Sequence, residues 1–140
     1  MNEIKDVSLA VCQLKSLYTQ WAKEHSINYN KLLVLYVVYE TRLCTQKQII
    51  DKYGIPKQTV SNIISGLLKD GYVNVTKSRK YHREKLIELT DEGVKYAEGI
   101  LLPFIRLEER IGAQMGVDAV DTLARLLLTY IDTFTKGNAD

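Results

Sequence analysis

The chain is poor in the residues that staple, break or coordinate. Cys12 and Cys44 are its only cysteines, too few for a disulfide framework and in keeping with a reducing compartment. Its two prolines, Pro56 and Pro103, leave the first 55 residues without a rigid helix breaker. The two histidines, His25 and His82, have no ligand-type spacing, so no metal is expected. There is no Ser/His/Asp set, no paired carboxylates in an apolar context and no phosphate-binding glycine loop. These absences argue against an enzyme and against a bound cofactor. Long apolar runs are missing too. The longest, Leu32-Leu33-Val34-Leu35-Tyr36-Val37-Val38-Tyr39, is far too short to span a bilayer. The start, Met1-Asn2-Glu3-Ile4-Lys5-Asp6, lacks the basic-then-apolar pattern of a signal peptide, so the expected location is cytoplasmic, with no membrane partner.

What is present is a soluble composition with an uneven charge. Hydrophobic residues make up 46% and charged residues 26%, enough to build a core without staples in a chain of this size. The net charge is only +2, but from Thr45 to Thr90 nine basic residues face four acids. That segment carries a surplus of five, which leaves the remainder at −3. A basic middle between mildly acidic ends is the charge footprint of a nucleic-acid-binding module set in a different scaffold.

Periodicity then supplies the elements. From Glu3 to His25, Ile4, Val7, Val11, Leu14, Tyr18 and Trp21 alternate steps of three and four, one face of an amphipathic helix. A second helix, Asn28 to Arg42, is apolar nearly all round and is expected to be buried. Thr45-Gln46-Lys47-Gln48 reads as a capping box that opens a short helix. That helix closes near Gly54, which can take a left-handed C-terminal conformation. Pro56 suits the first turn of the next helix, which runs through Leu68 and stops at Gly71. Tyr72-Val73-Asn74-Val75-Thr76 alternates as a strand, with Lys85 to Thr90 as its partner and a basic tip between them. Thr90 caps a further helix to about Ala113, kinked at Pro103. A last helix from Val117 to about Thr135 carries Val120, Leu123, Leu127, Tyr130, Ile131 and Phe134 on one stripe. The expected fold class is mainly α with a small β-hairpin wing: a winged helix-turn-helix with N- and C-terminal dimerisation helices. The whole of 1–140 forms one unit in this reading, with a DNA-binding lobe at 28–93 and a helical dimerisation arm from 1–27 and 94–140.

A recognition helix must hide one face and offer the other to base edges. Val60, Ile63, Ile64, Leu67 and Leu68 are the expected hidden set, leaving Lys57, Gln58, Thr59, Ser61, Asn62 and Ser65 facing out. Lysine can donate to guanine, glutamine and asparagine can pair with adenine through two hydrogen bonds, and serine and threonine reach phosphate or base. No acid occurs from Pro56 through Leu68 to repel phosphate. The wing adds Lys77, Arg79, Lys80, His82, Arg83 and Lys85, suited to phosphates or to a narrow minor groove. The end helices show more apolar surface than one small lobe needs, which points to a second copy of the chain as partner.

Three stretches together resemble the MarR family of bacterial regulators. They are Gln48-Ile49-Ile50-Asp51-Lys52-Tyr53-Gly54-Ile55-Pro56-Lys57-Gln58-Thr59-Val60-Ser61, then Leu67-Leu68-Lys69-Asp70-Gly71-Tyr72-Val73, then Arg83 with Leu86-Ile87-Glu88-Leu89-Thr90-Asp91-Glu92-Gly93. The resemblance covers nearly the whole chain, and its more specific part is the leucine-threonine-x-x-glycine close of the second wing strand. It implies a homodimer with interlocked end helices, two winged lobes on a pseudo-palindromic operator in double-stranded DNA, and Arg83 in the place of the family's wing arginine. The chain departs from the pattern at Tyr81, where an aspartate usually steadies the wing. The function so implied is that of a transcription regulator, by default a repressor, with release by a small ligand as an added expectation. Tyr18, Trp21, Tyr36 and Tyr39 are the candidate lining for an aromatic or apolar effector. The resemblance also raises Cys12 as a peroxide- or thiol-responsive group, with Tyr29, Tyr36 and Tyr39 able to approach it. The alternative class is a winged-helix protein-interaction module that reads no DNA sequence.

Overall fold

The structure is a computed structural model that describes residues 3–80 and 84–139. In chain order the elements are α1 (Ile4–Glu24), α2 (Tyr29–Thr41), β1 (Leu43–Thr45), α3 (Gln46–Tyr53), α4 (Lys57–Lys69), β2 (Val73–Lys77), β3 (Lys85–Leu89), α5 (Asp91–Met115) and α6 (Val117–Ala139). The chain divides into two compact units, Met1–Leu101 and Leu102–Asp140. No helix among the described residues is long and apolar enough to cross a membrane.

In the first unit the core gathers on α2. Asn28 caps it by accepting the Lys31 amide at 2.8 Å, and Leu32, Val34, Leu35, Val37 and Val38 are buried. Burial around so much of one helix is what its all-round apolar sequence requires. Ala22, Ile49, Val60, Leu67, Val73, Ile87, Ala97 and Leu101 complete the core from the surrounding elements. α2 ends at Arg42, whose φ of 65° turns the chain directly into β1. The sequence pattern does not reveal this strand, because three residues are too few to show an alternation. It matters for the layout. The sheet is antiparallel in the order β1-β3-β2, with Leu43, Cys44 and Thr45 opposite Glu88, Ile87 and Leu86. On the other side of β3, Val73 pairs with Leu89 and Lys77 with Lys85. The first wing strand therefore starts one residue later than expected and excludes Tyr72.

Thr90 and Gly93 tie the wing to the end of α4. The Thr90 amide donates to the Tyr72 carbonyl at 3.0 Å, and the Thr90 hydroxyl donates to the Gly71 carbonyl at 2.7 Å. The same hydroxyl accepts the Gly93 amide at 3.0 Å, so Thr90 caps α5 while holding the turn after α4. A Cβ on Gly93 would collide with the Tyr72 carbonyl oxygen. Glycine is there for close approach of two backbones. This is the physical content of the leucine-threonine-x-x-glycine signature.

The second unit holds the rest of α5 and all of α6. α5 continues as a helix through Pro103 to Met115, two residues past the expected end, and Gly116 takes φ 94° after it. α6 extends to Ala139 rather than Thr135 and has no buried residue.

Candidate nucleic-acid interface

The helix-turn-helix is built as its local chemistry directs. The Thr45 amide donates to Gln48 Oε1 at 2.8 Å, and the Gln48 amide donates to Thr45 Oγ1 at 3.1 Å. That reciprocal pair is the expected capping box. Gly54 closes α3 in the left-handed region at φ 63°, its amide donating to the Ile50 carbonyl at 2.7 Å. Ile55 is buried, and Pro56, at φ −55°, is the cap that starts α4 rather than its first helical residue.

α4 buries Val60, Ile64 and Leu67. Two of the five residues expected to be hidden are not. Ile63 is half-buried, and Leu68 is 48% exposed. Both sit on the flanks of the stripe, and the stripe alone is wider than the face that α4 turns inward. On the other side of the helix, Lys57, Gln58, Asn62 and Ser65 are exposed, while Thr59 and Ser61 are half-buried. Those last two line clefts, one on each flank. Ser61 joins Lys57, Gln46, Lys47 and Ile50 of α3, and Glu84 and Lys85 at the base of the wing, around a cleft of about 530 Å³. Thr59, Asn62 and Ile63 meet Lys15 and Thr19 of α1 and Asn28, Tyr29 and Asn30 at the start of α2, around about 480 Å³. Gln58 Nε2 donates to Asn62 Oδ1 at 2.9 Å across one helical turn.

Three lysines, Lys47, Lys57 and Lys85, thus line one cleft between the helix-turn-helix and the wing, with Glu84 the single acid there among the described residues. Lys47 also reaches Asp51 at 3.9 Å, an exposed pair of small energetic weight. Sequence reasoning counts Lys47 in the basic surplus but does not place it at the site. The missing information is how α3 and the wing base meet. In the wing, Lys77 ends β2, the buried Ser78 donates its amide to the Glu84 carbonyl at 3.0 Å, and Arg79 and Lys80 are exposed beyond it. Tyr81, His82 and Arg83 lie outside the described residues.

Three of the four aromatic residues grouped as a candidate effector lining have described ring partners outside that group. Tyr18 stacks on Tyr29 at 5.8 Å, Trp21 stacks on His25 at 3.7 Å, and Arg42 lies 4.7 Å over the Tyr39 ring. The Tyr39 hydroxyl also donates to Glu98 at 3.3 Å, and Tyr36 is half-buried. Cys12 is exposed on α1. Cys44 is buried in β1, where burial pushes its thiol pKa up against a smaller opposing hydrogen bond with Thr41. Among the described residues, no group of three or more His, Cys, Asp or Glu could hold a metal ion.

A helix-turn-helix followed at once by a two-stranded wing, with the base of that wing paired to the strand before the motif, defines a winged-helix protein. Residues 25–84 match the model of the MarR family. A MarR family regulator from Neisseria meningitidis has the same fold over 99% of this chain and 98% of its own, with a TM-score of 0.89 at 24% identity. MepR of S. aureus, solved in a DNA-binding conformation, covers 96% of this chain and 99% of its own at a TM-score of 0.77 and 18% identity. The xylose repressor of Caldicellulosiruptor bescii is 31% identical over 122 residues, which is 76% of this chain but only 30% of that protein's length. The helix-turn-helix and wing, residues 25–84, thus match the MarR family, whose members are transcription regulators, and the solved MarR family regulators share the fold of the chain.

Proposed function

We propose that the chain is a sequence-specific DNA-binding transcription regulator that works as a homodimer on a pseudo-palindromic operator, by default as a repressor in the cytoplasm. α4 enters the major groove and offers Lys57, Gln58, Thr59, Ser61, Asn62 and Ser65. The wing brings Lys77, Arg79 and Lys80 to the flanking backbone, and His82 and Arg83, which lie outside the described residues, are proposed for the same contact from the sequence alone. The observation that carries this reading is the outward face of α4: amides, hydroxyls and a lysine with no carboxylate in the helix, beside a cleft bordered by Lys47, Lys57 and Lys85. Such a surface attracts phosphate and can discriminate bases.

The dimer rests on the end helices, each judged by itself. α1 exposes Ile4, Leu9, Val11, Leu14 and Leu17. α6 exposes Val117, Val120, Leu123, Leu126, Leu128, Ile131 and Phe134. Apolar faces this extensive mark a protein–protein contact, and a second copy of the chain covers them in a closed, two-fold arrangement.

Selection from a random duplex DNA pool at near-physiological salt tests the reading. An inverted repeat with half-sites about one helical turn apart is the expected product. Recovery of no consensus, with binding that vanishes as salt rises, would leave only the phosphate contribution and overturn sequence-specific regulation.

A further inference from the structure

We infer that Gln58 is a positioning residue that sets the sequence preference of Asn62, so that the two amides read DNA as one unit. This rests on the proposed DNA-reading role of α4. Both side chains are exposed, one helical turn apart, on the face opposite Val60, Ile64 and Leu67. The Gln58 Nε2 group donates to Asn62 Oδ1 at 2.9 Å.

A lone exposed asparagine amide rotates about its last bond, and its oxygen and nitrogen exchange places at little cost. In one orientation it offers an acceptor and a donor in the order that matches the N6 amine and N7 of adenine. In the other the order is reversed, and cytosine N4 or a thymine O4 is met instead. The bond from Gln58 ties the two amides together: Asn62 can reverse only if the Gln58 amide reverses with it, because a flip of Asn62 alone would set two N–H groups against each other. Asn62 Oδ1 keeps a second lone pair for a base and Nδ2 keeps both protons, so the bond does not consume its reading capacity. Gln58 retains its own Oε1 and one N–H. In the observed orientation the pair presents, from Gln58 to Asn62, acceptor, donor, acceptor and donor. Asn62 also borders the cleft shared with α1 and α2, while Lys57 and Ser61 border the one beside the wing.

The test measures binding of each single-base-pair variant of the selected operator by wild type, Asn62→Ala, Gln58→Ala, Gln58→Glu and the Gln58→Ala/Asn62→Ala double variant. Asn62→Ala should flatten the preference at one position per half-site, by on the order of tenfold or more. Gln58→Ala should relax the preference at that same position several-fold although Asn62 is still present. The double variant should lose little beyond Asn62→Ala there. Gln58→Glu keeps the size and removes the donor, so it should relax the same position. Its added charge weakens binding to every operator variant alike and cancels in the ratio. If Asn62→Ala flattens a position that both Gln58 variants leave intact, or if the two effects simply multiply, the positioning role is overturned while DNA reading by α4 stands. If wild type selects no sequence, or no variant changes the preference at any position, the reading surface itself is wrong and the inference falls with it.

Discussion

At Thr90 and Gly93, two short-range choices fix how the wing meets the recognition helix. The hydroxyl of Thr90 serves the Gly71 carbonyl and the Gly93 amide together, and Gly93 leaves room for the Tyr72 carbonyl. Gly93→Ala should therefore destabilise the fold by roughly 1–3 kcal/mol, the usual cost of overpacking, as read from denaturant midpoints. Thr90→Ser should be tolerated far better than Thr90→Val, which keeps the shape and loses both bonds. Cys44 gives a second residue-scale expectation. Its folded pKa is raised by burial, so the stability it contributes is fully present below the thiol value of the unfolded chain. That contribution is lost as the pH rises through the higher folded value, because the unfolded state then releases the proton more readily. Replacing Cys44 by Ala or Val should flatten the alkaline limb of a stability–pH profile. In the native protein Cys12 should react with a thiol reagent far faster than Cys44.

Among the elements, α2, α3 and α4 are legible in the sequence, since capping boxes and glycine stops are local chemistry. Thr45, Gln48 and Gly54 do what their types require with no help from the rest of the chain. What periodicity does not give is the width of the face that α4 buries. Leu67 and Leu68 are equivalent in a hydrophobicity pattern, yet one is wholly buried and the other is 48% exposed. The difference is set by how α2, α3 and β2 pack on α4, which is tertiary. Leu67→Ala should cost about 2–5 kcal/mol, whereas Leu68→Ala should cost well under half of that, by thermal or chemical unfolding. Most of the candidate site is legible for the same reason as the helices, because residue types on α4 carry the chemistry. The approach of Lys47 to Lys57 and Lys85 is not, because it depends on the packing of three separate segments. β1 escapes notice because a three-residue strand has no period to detect.

Across the molecule, charge and apolar surface are segregated: the basic surplus lies between Thr45 and Thr90, and large exposed hydrophobics crowd α1 and α6. The chain should sediment as a dimer at micromolar concentration, and a monomer there would count directly against the proposed assembly. Replacing Leu126 and Phe134 by lysine together should shift the population towards monomer and weaken operator binding, since a lone protomer grips one half-site without the tethered second. DNA affinity should fall steeply with salt, and Lys57→Ala should reduce the slope of log K against log salt by about one for each phosphate that the lysine neutralises.

Thr45 belongs at once to β1, opposite Leu86 of the wing, and to the cap of α3. β3 is consequently paired on both sides, and a tilt of the helix-turn-helix is resisted by the base of the wing. Two probes coupled in this way have a limited span. If α4 sits in a major groove while the wing rests on the neighbouring backbone, the duplex has to supply the adjustment when its groove width does not match that span. Base pairs that no side chain touches would then influence affinity through their stiffness. The protein would act as a gauge of DNA shape as well as a reader of its letters.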